Sequence, residues 1–210
     1  MDDEVTYTAS MDGKIEMQND RIVVLPVHEV SGNAELAEGN IDFRGDIVIH
    51  GNVESGVNIR ATGSITIDGV AEACMLEAGK DIILRGGMLG GNKASVKTKG
   101  AITAKFFEFT NILCEGDLQA DVLMDCSVIC HGQIRLTGRK GSIIGGKVQA
   151  IRGLIATSLG NDAEKRTEIF VGAGIDVYSR LHVMEKKIEM TREELRSEEH
   201  TSELQSRITI

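Results

Sequence analysis

The chain has 210 residues, 41% of them apolar, with 24 glycines, one proline, no tryptophan and a formal net charge of −9. That acidic balance opposes a nucleic-acid partner, since gripping a phosphate backbone takes a dense field of lysine and arginine. The apolar share argues against a disordered chain, so the glycines read as many tight corners.

The amino terminus, Met1-Asp-Asp-Glu4, lacks the basic and apolar regions of a secretory signal, and no apolar run approaches the ~18 residues of a membrane span. The chain therefore reads as cytosolic, a compartment in which Cys74, Cys114, Cys126 and Cys130 stay reduced. Residues 5–9, 14–17 and 21–24 alternate or run apolar between the turn signals Asp12-Gly13 and Asn19-Asp20. They predict a small antiparallel meander within residues 1–31, a β cap that covers the open end of a stacked array.

From Gly32 the pattern changes to very short strands, at residues 33–36, 41–43 and 47–49. A glycine followed by an aliphatic pair then recurs: Gly45-Asp-Ile-Val-Ile49, Gly63-Ser-Ile-Thr-Ile67, Gly79-Lys-Asp-Ile-Ile-Leu84, Gly100-Ala-Ile102, Gly116-Asp-Leu118, Gly132-Gln-Ile-Arg-Leu136 and Gly153-Leu-Ile155. The differences between these glycine numbers are 18, 16, 21, 16, 16 and 21. Units so short cannot bury their own apolar faces and must stack, so residues 32–172 are expected to form a β-solenoid.

Ile41, Ile47, Val53, Ile59, Ile65 and Ala71 fall six residues apart, which implies three faces per turn. Counting four back from successive coil glycines aligns Ile59, Met75, Val96, Ile112 and Val128 as one inward ladder. Two back stand Ala61, Glu77, Thr98, Cys114 and Cys130, among which Glu77 is the misfit. A local bulge that turns Glu77 outward and lets Ala78 fill the space is expected. The longer units place extruded glycine turns at residues 86–91 and 139–146.

A strand at residues 167–171 closes the repeat and Gly172-Ala-Gly174 breaks it. Residues 173–195 read as the start of a coiled-coil helix whose seam, Val177, Leu181, Met184, Ile188, Thr191 and Leu195, alternates four and three apart. Residues 196–210 resemble the conceptual translation of a sequencing adapter and read as a non-native tail.

The groupings that could carry chemistry each have a structural reading that fits better. Lys93, Lys97, Lys99 and Lys105 are a basic stretch without interleaved aromatics, which reads as solvated strand surface. Gly141-Ser-Ile-Ile-Gly-Gly-Lys147 has the spacing of a phosphate-binding loop, but Val148 stands where a hydroxyl would hold magnesium, and a strand continues where a helix should open. Cys114, Cys126, Cys130 and His131 invite a zinc site, yet Cys126 and Cys130 lie ~13 Å apart along an extended strand, and small core residues stack in the same way. Asp46, Asp81 and Asp117, beside coil glycines, read as turn acids bonding local backbone amides. His28, His50 and His182 have no partner at a readable spacing, so no triad is inferred. No catalytic, metal or cofactor-binding residue is assigned.

Gly39-Asn-Ile-Asp-Phe-Arg-Gly-Asp-Ile-Val-Ile-His-Gly51, Ala61-Thr-Gly-Ser-Ile-Thr-Ile-Asp-Gly69, Ala104-Lys-Phe-Phe-Glu108, Lys140-Gly-Ser-Ile-Ile-Gly-Gly146 and Thr167-Glu-Ile-Phe-Val-Gly172 together resemble the flagellar assembly protein A family. The resemblance covers roughly residues 5–195. It implies an all-β fold, a right-handed parallel β-helix, with a separate amino-terminal domain before it and a longer coiled coil after it, so the chain is expected to be a fragment. It also implies a non-catalytic bacterial scaffold in the cytoplasm that supports flagellar assembly or placement. The expected partners are proteins of the flagellar or polar-localisation machinery. The seam residues Val177, Leu181, Met184, Ile188 and Leu195 are expected to pair helices within the full chain or in a homo-oligomer. The competing reading is an acyltransferase on a left-handed hexapeptide β-helix, prompted by the six-residue period. Coils of 16 residues, and a histidine, His131, set directly beside a coil glycine, oppose it.

Overall fold

A computed structural model describes residues 14–18, 20–138, 140–162, 165–172 and 187. The chain divides into two compact units, Met1–Gly172 and Ala173–Ile210. In the first, β1 (Lys14–Gln18) and β2 (Arg21–Leu25) pair antiparallel, as the alternation about Asn19-Asp20 predicts. Residues 5–9 lie outside the described residues.

After Pro26 the chain winds through β3 (Val27–Val30), β4 (Ile41–Phe43), β5 (Asp46–Ile49), β6 (Asn58–Ala61), β7 (Ile65–Ile67), β8 (Ala71–Glu72), β9 (Met75–Ala78) and β10 (Ile82–Leu84). It continues through β11 (Met88–Thr98), β12 (Ile102–Ala104), β13 (Phe106–Cys114), β14 (Leu118–Ala120), β15 (Val122–Cys130), β16 (Gln133–Leu136), β17 (Ser142–Ala150), β18 (Gly153–Ile155), β19 (Ser158–Leu159) and β20 (Thr167–Val171). Every pairing after the first hairpin is parallel, and each strand pairs with its counterpart one coil away. This is a parallel β-solenoid of about eight turns. Its first rung is β3, five residues ahead of Gly32, because Val27 and Val30 already pair with Asp46 and Ile49.

Three inward ladders fill the core. On the first face Ile47, Ile65, Ile82, Ile102, Leu118, Ile134 and Leu154 stand in register. The second carries Ala34, Val53, Ala71, Met88, Phe107, Leu123 and Ile143, with Leu159 in register after them but exposed. The third carries Ile41, Ile59, Leu76, Val96, Ile112, Val128, Val148 and Ile169. Each fully buried Val, Leu, Ile, Met or Phe side chain among them contributes about 1.5–3 kcal/mol before the entropy of ordering is set against it.

The third ladder corrects one expectation. Met75 is 53% exposed and Leu76 holds the inward place. Counting back from Gly79 assumes that Gly79 stacks on Gly63, but the Gly79 N–H donates to Ala61 O and it is the Lys80 N–H that reaches Gly63 O. The corner file is therefore Gly45, Gly63, Lys80, Gly100, Gly116, Gly132 and Arg152, joined throughout by N–H to O bonds, with coil lengths of 18, 17, 20, 16, 16 and 20. A glycine is still demanded in that coil, one residue early: a Cβ on Gly79 would stand 2.2 Å from Thr62 O. Ala78 points in and Glu77 points out as expected, through this shift of the whole strand and not through a bulge at Glu77.

The extra residues of the long coils overlap the expected glycine turns only in part. In the first, the register breaks between Leu89 and Ala94, so that residues 90–93 bulge within β11. In the second, the chain leaves the ladder after Leu136 and rejoins it at Ser142, the start of β17. The long strands β11, β13, β15 and β17 turn from the second face to the third without breaking off. They do so by placing Asn92, Phe109, Asp125 and Gly145 at φ values of 60°, 46°, 49° and 70°.

Candidate functional site

The sequence-derived candidates resolve mostly into parts of the stack. Cys74, Cys114, Cys126 and Cys130 are free and buried, and Cys114 pairs in register with Cys130 inside the third face. Burial pushes the Cys74 thiol up to about 12 and the Cys126 thiol to about 11. Cys114 is held further above the ordinary thiol range, by the hydrogen bond it shares with Cys130 and by burial. The same bond lowers the Cys130 thiol, but the other three stay protonated, and protonated thiols are poor metal ligands. Among the described residues no group of three or more His, Cys, Asp or Glu side chains is placed to hold a metal ion.

The phosphate-loop look-alike is strand. Gly146 packs so tightly on the preceding coil that a Cβ would meet Cys126 O at 2.2 Å, and Lys147 lies over the Phe170 ring, 5.1 Å from its centroid. The basic stretch is dispersed: Lys97 Nζ pairs with Glu77 at 3.6 Å on the third face, while Lys93 sits in the β11 bulge and Lys105 at the next corner. Asp46, Asp81 and Asp117 do accept backbone N–H bonds, at 2.7, 2.7 and 2.9 Å, but from Ser64, Ala101 and Gln133 of the following coil and not locally. They tie coil to coil where the strands end.

One pair escaped the sequence reading. His50 Nδ1 stands 3.0 Å from Asp68 Oδ2, and Arg85 Nε stands 3.3 Å from Asp68 Oδ1. The signal was the coil period itself, since His50 and Asp68 are 18 residues apart. No hydroxyl or thiol nucleophile bonds to His50 among the described residues, so the cluster ties coils together and makes no triad.

Two grooves lie on the outer surface of the described residues. On the third face, Asp42, Arg60, Glu77 and Lys97 stand on consecutive rungs in alternating charge, with Arg60 Nε 3.0 Å from Glu77, along a groove of about 370 Å³. On the second face, Phe106, Val122 and Met124 point outward beneath Lys105, Glu108, Asp121 and Lys140, lining a groove of about 360 Å³. The sequence held a signal for the latter, because in an alternating strand the adjacent Phe106 and Phe107 cannot both face the core. Phe107 is fully buried, and Phe106 lies against Gly87, where a Cβ would meet its ring at 2.6 Å.

A repeat that uses its polar groups to tie coils together and presents two shallow outer grooves defines a β-solenoid protein. The chain belongs to the flagellar assembly protein A family: the family model described as the Flagellar Assembly Protein A beta solenoid domain matches residues 26–209. The match begins one residue before β3 and runs into the 196–210 segment. No curated protein and no solved structure matches the chain. Among the described residues no helix is long and apolar enough to cross a membrane. The family gives no support to the acyltransferase alternative, and the six-residue period behind it fails after Ala71, where Leu76 takes the inward place that the period assigns to Glu77. The seam residues Val177, Leu181, Met184, Ile188 and Leu195 lie outside the described residues.

Proposed function

We propose that the protein is a non-catalytic scaffold in the bacterial cytoplasm that supports flagellar assembly or placement through protein contacts. The family supports the flagellar role. The observation that carries the docking role is the second-face groove, where half-buried Phe106, Val122 and Met124 line one concave surface rimmed by Lys105, Glu108, Asp121 and Lys140. Such a groove suits an apolar anchor from a partner protein, with the charged rim fixing orientation. The coil runs right-handed in this reading. Residues 173–195 form a helix that pairs through Val177, Leu181, Met184, Ile188 and Leu195 in the full chain or with a second subunit.

The test is complementation of flagellation in cells lacking the gene. Val122→Lys with Met124→Lys should cut the flagellated fraction severalfold while the purified variant keeps its circular dichroism. Leu181→Glu with Ile188→Glu should do the same and also lower the mass seen by light scattering. Wild-type flagellation by a folded groove variant would end the docking reading. Residues 196–210 take no part in it, and the nucleotide sequence of the gene decides whether they are adapter-derived.

A further inference from the structure

The corner between the second and third faces changes character at its last coil. The four preceding coils turn it within the continuous strands β11, β13, β15 and β17, whereas β19 and β20 are separate strands. From just ahead of β20, Lys165 reaches back along the corner. Its Nζ pairs with Asp125 Oδ2 of β15 and stands 5.7 Å from the ring centroid of Phe109 in β13.

The corner is shaped for this reach. Gly145 of β17 lies along the path, and a Cβ there would stand 2.2 Å from Asp125 Oδ1 and 3.5 Å from Lys165 Cδ. The Gly145 N–H donates to Thr167 Oγ1 at 2.9 Å, a second tie at the same end of β20. The Asp125 side chain is only 19% exposed, so its ion pair is screened less than an ordinary surface pair.

Beyond its ladder to β17, the Ile169 side chain against the core and Lys147 over the Phe170 ring, β20 has few ties to the stack. β20 pairs with β17 alone among the described strands, and none of its five residues is fully buried. We propose that Lys165 is a latch for this rung. While its ammonium sits on Asp125 and over Phe109, β20 stays on the stack. Unseating it frees β20 and uncovers the backbone edge of residues 146–150 of β17, a row of N–H and C=O groups able to accept a strand from another chain.

Native-state hydrogen exchange read by mass spectrometry tests this on the whole chain, with K165M, D125N and the double variant at low and at 1 M salt. The β20 amides should exchange about five- to tenfold faster in either single variant, and no faster in the double. High salt should speed β20 in the wild type and leave K165M unchanged. Three results would each overturn the latch: unchanged β20 exchange in K165M, equal acceleration across β10, β12 and β14, or a wild type insensitive to salt.

Discussion

Cys74 and Cys126 are buried in the core, and their thiols are inert for the same reason that they pack well: a thiolate there would lose its water. Folded, they keep their protons up to about pH 12 and 11, while in the unfolded chain they lose them near 9.0. Between those limits the native state binds more protons than the unfolded state, so stability is full below pH 9 and falls as pH rises through the folded values. The urea midpoint should drop between pH 8 and pH 10.5, and Cys74→Ala should shrink the drop even though its cavity lowers the midpoint at both pH values. An equal drop in the two proteins would count against this account. The same four cysteines show what single residues could reveal: their core role was legible because free cysteine is a small apolar residue by habit. The His50–Asp68 pair was not, because a partner one coil away is close in space while looking remote in sequence.

At the scale of the strand, β9 is the informative element. Its two neighbours Met75 and Leu76 are equally apolar, so sequence alone could not say which faced in once Gly79 was misaligned. The backbone decided it, by putting Gly79 against Thr62 O and handing the corner file to Lys80. Leu76→Ala should therefore cost about 2–5 kcal/mol and Met75→Ala less than about 0.5 kcal/mol, measured by urea unfolding. Similar losses from both would contradict the register. Elsewhere the strands were legible wherever a glycine corner and two-residue alternation agreed, as at β5, β7 and β16. They were illegible where residues 90–93 bulged within β11, since of the four glycines at 86, 87, 90 and 91 nothing local says that only the last two leave the ladder.

At the scale of the whole stack, each coil is held chiefly by the coils before and after it, so stability should be graded along the solenoid. Amides of β12 and β14, covered on both sides, should exchange at least about a hundredfold more slowly than those of β3 and β18, the outermost strands of their sheet. Uniform protection from end to end would mean that the solenoid opens only as a unit. The coil lengths of 18, 17, 20, 16, 16 and 20 then acquire another meaning. In a perfectly periodic stack, a strand that skipped one turn while folding would find a neighbour nearly as good as its own. Here such a slip would set a coil of 16 residues against one of 20, leaving the β11 bulge or the span between β16 and β17 with nowhere to leave the ladder. The uneven coils thus act as serial numbers, giving each rung one address in a fold whose rungs otherwise look alike.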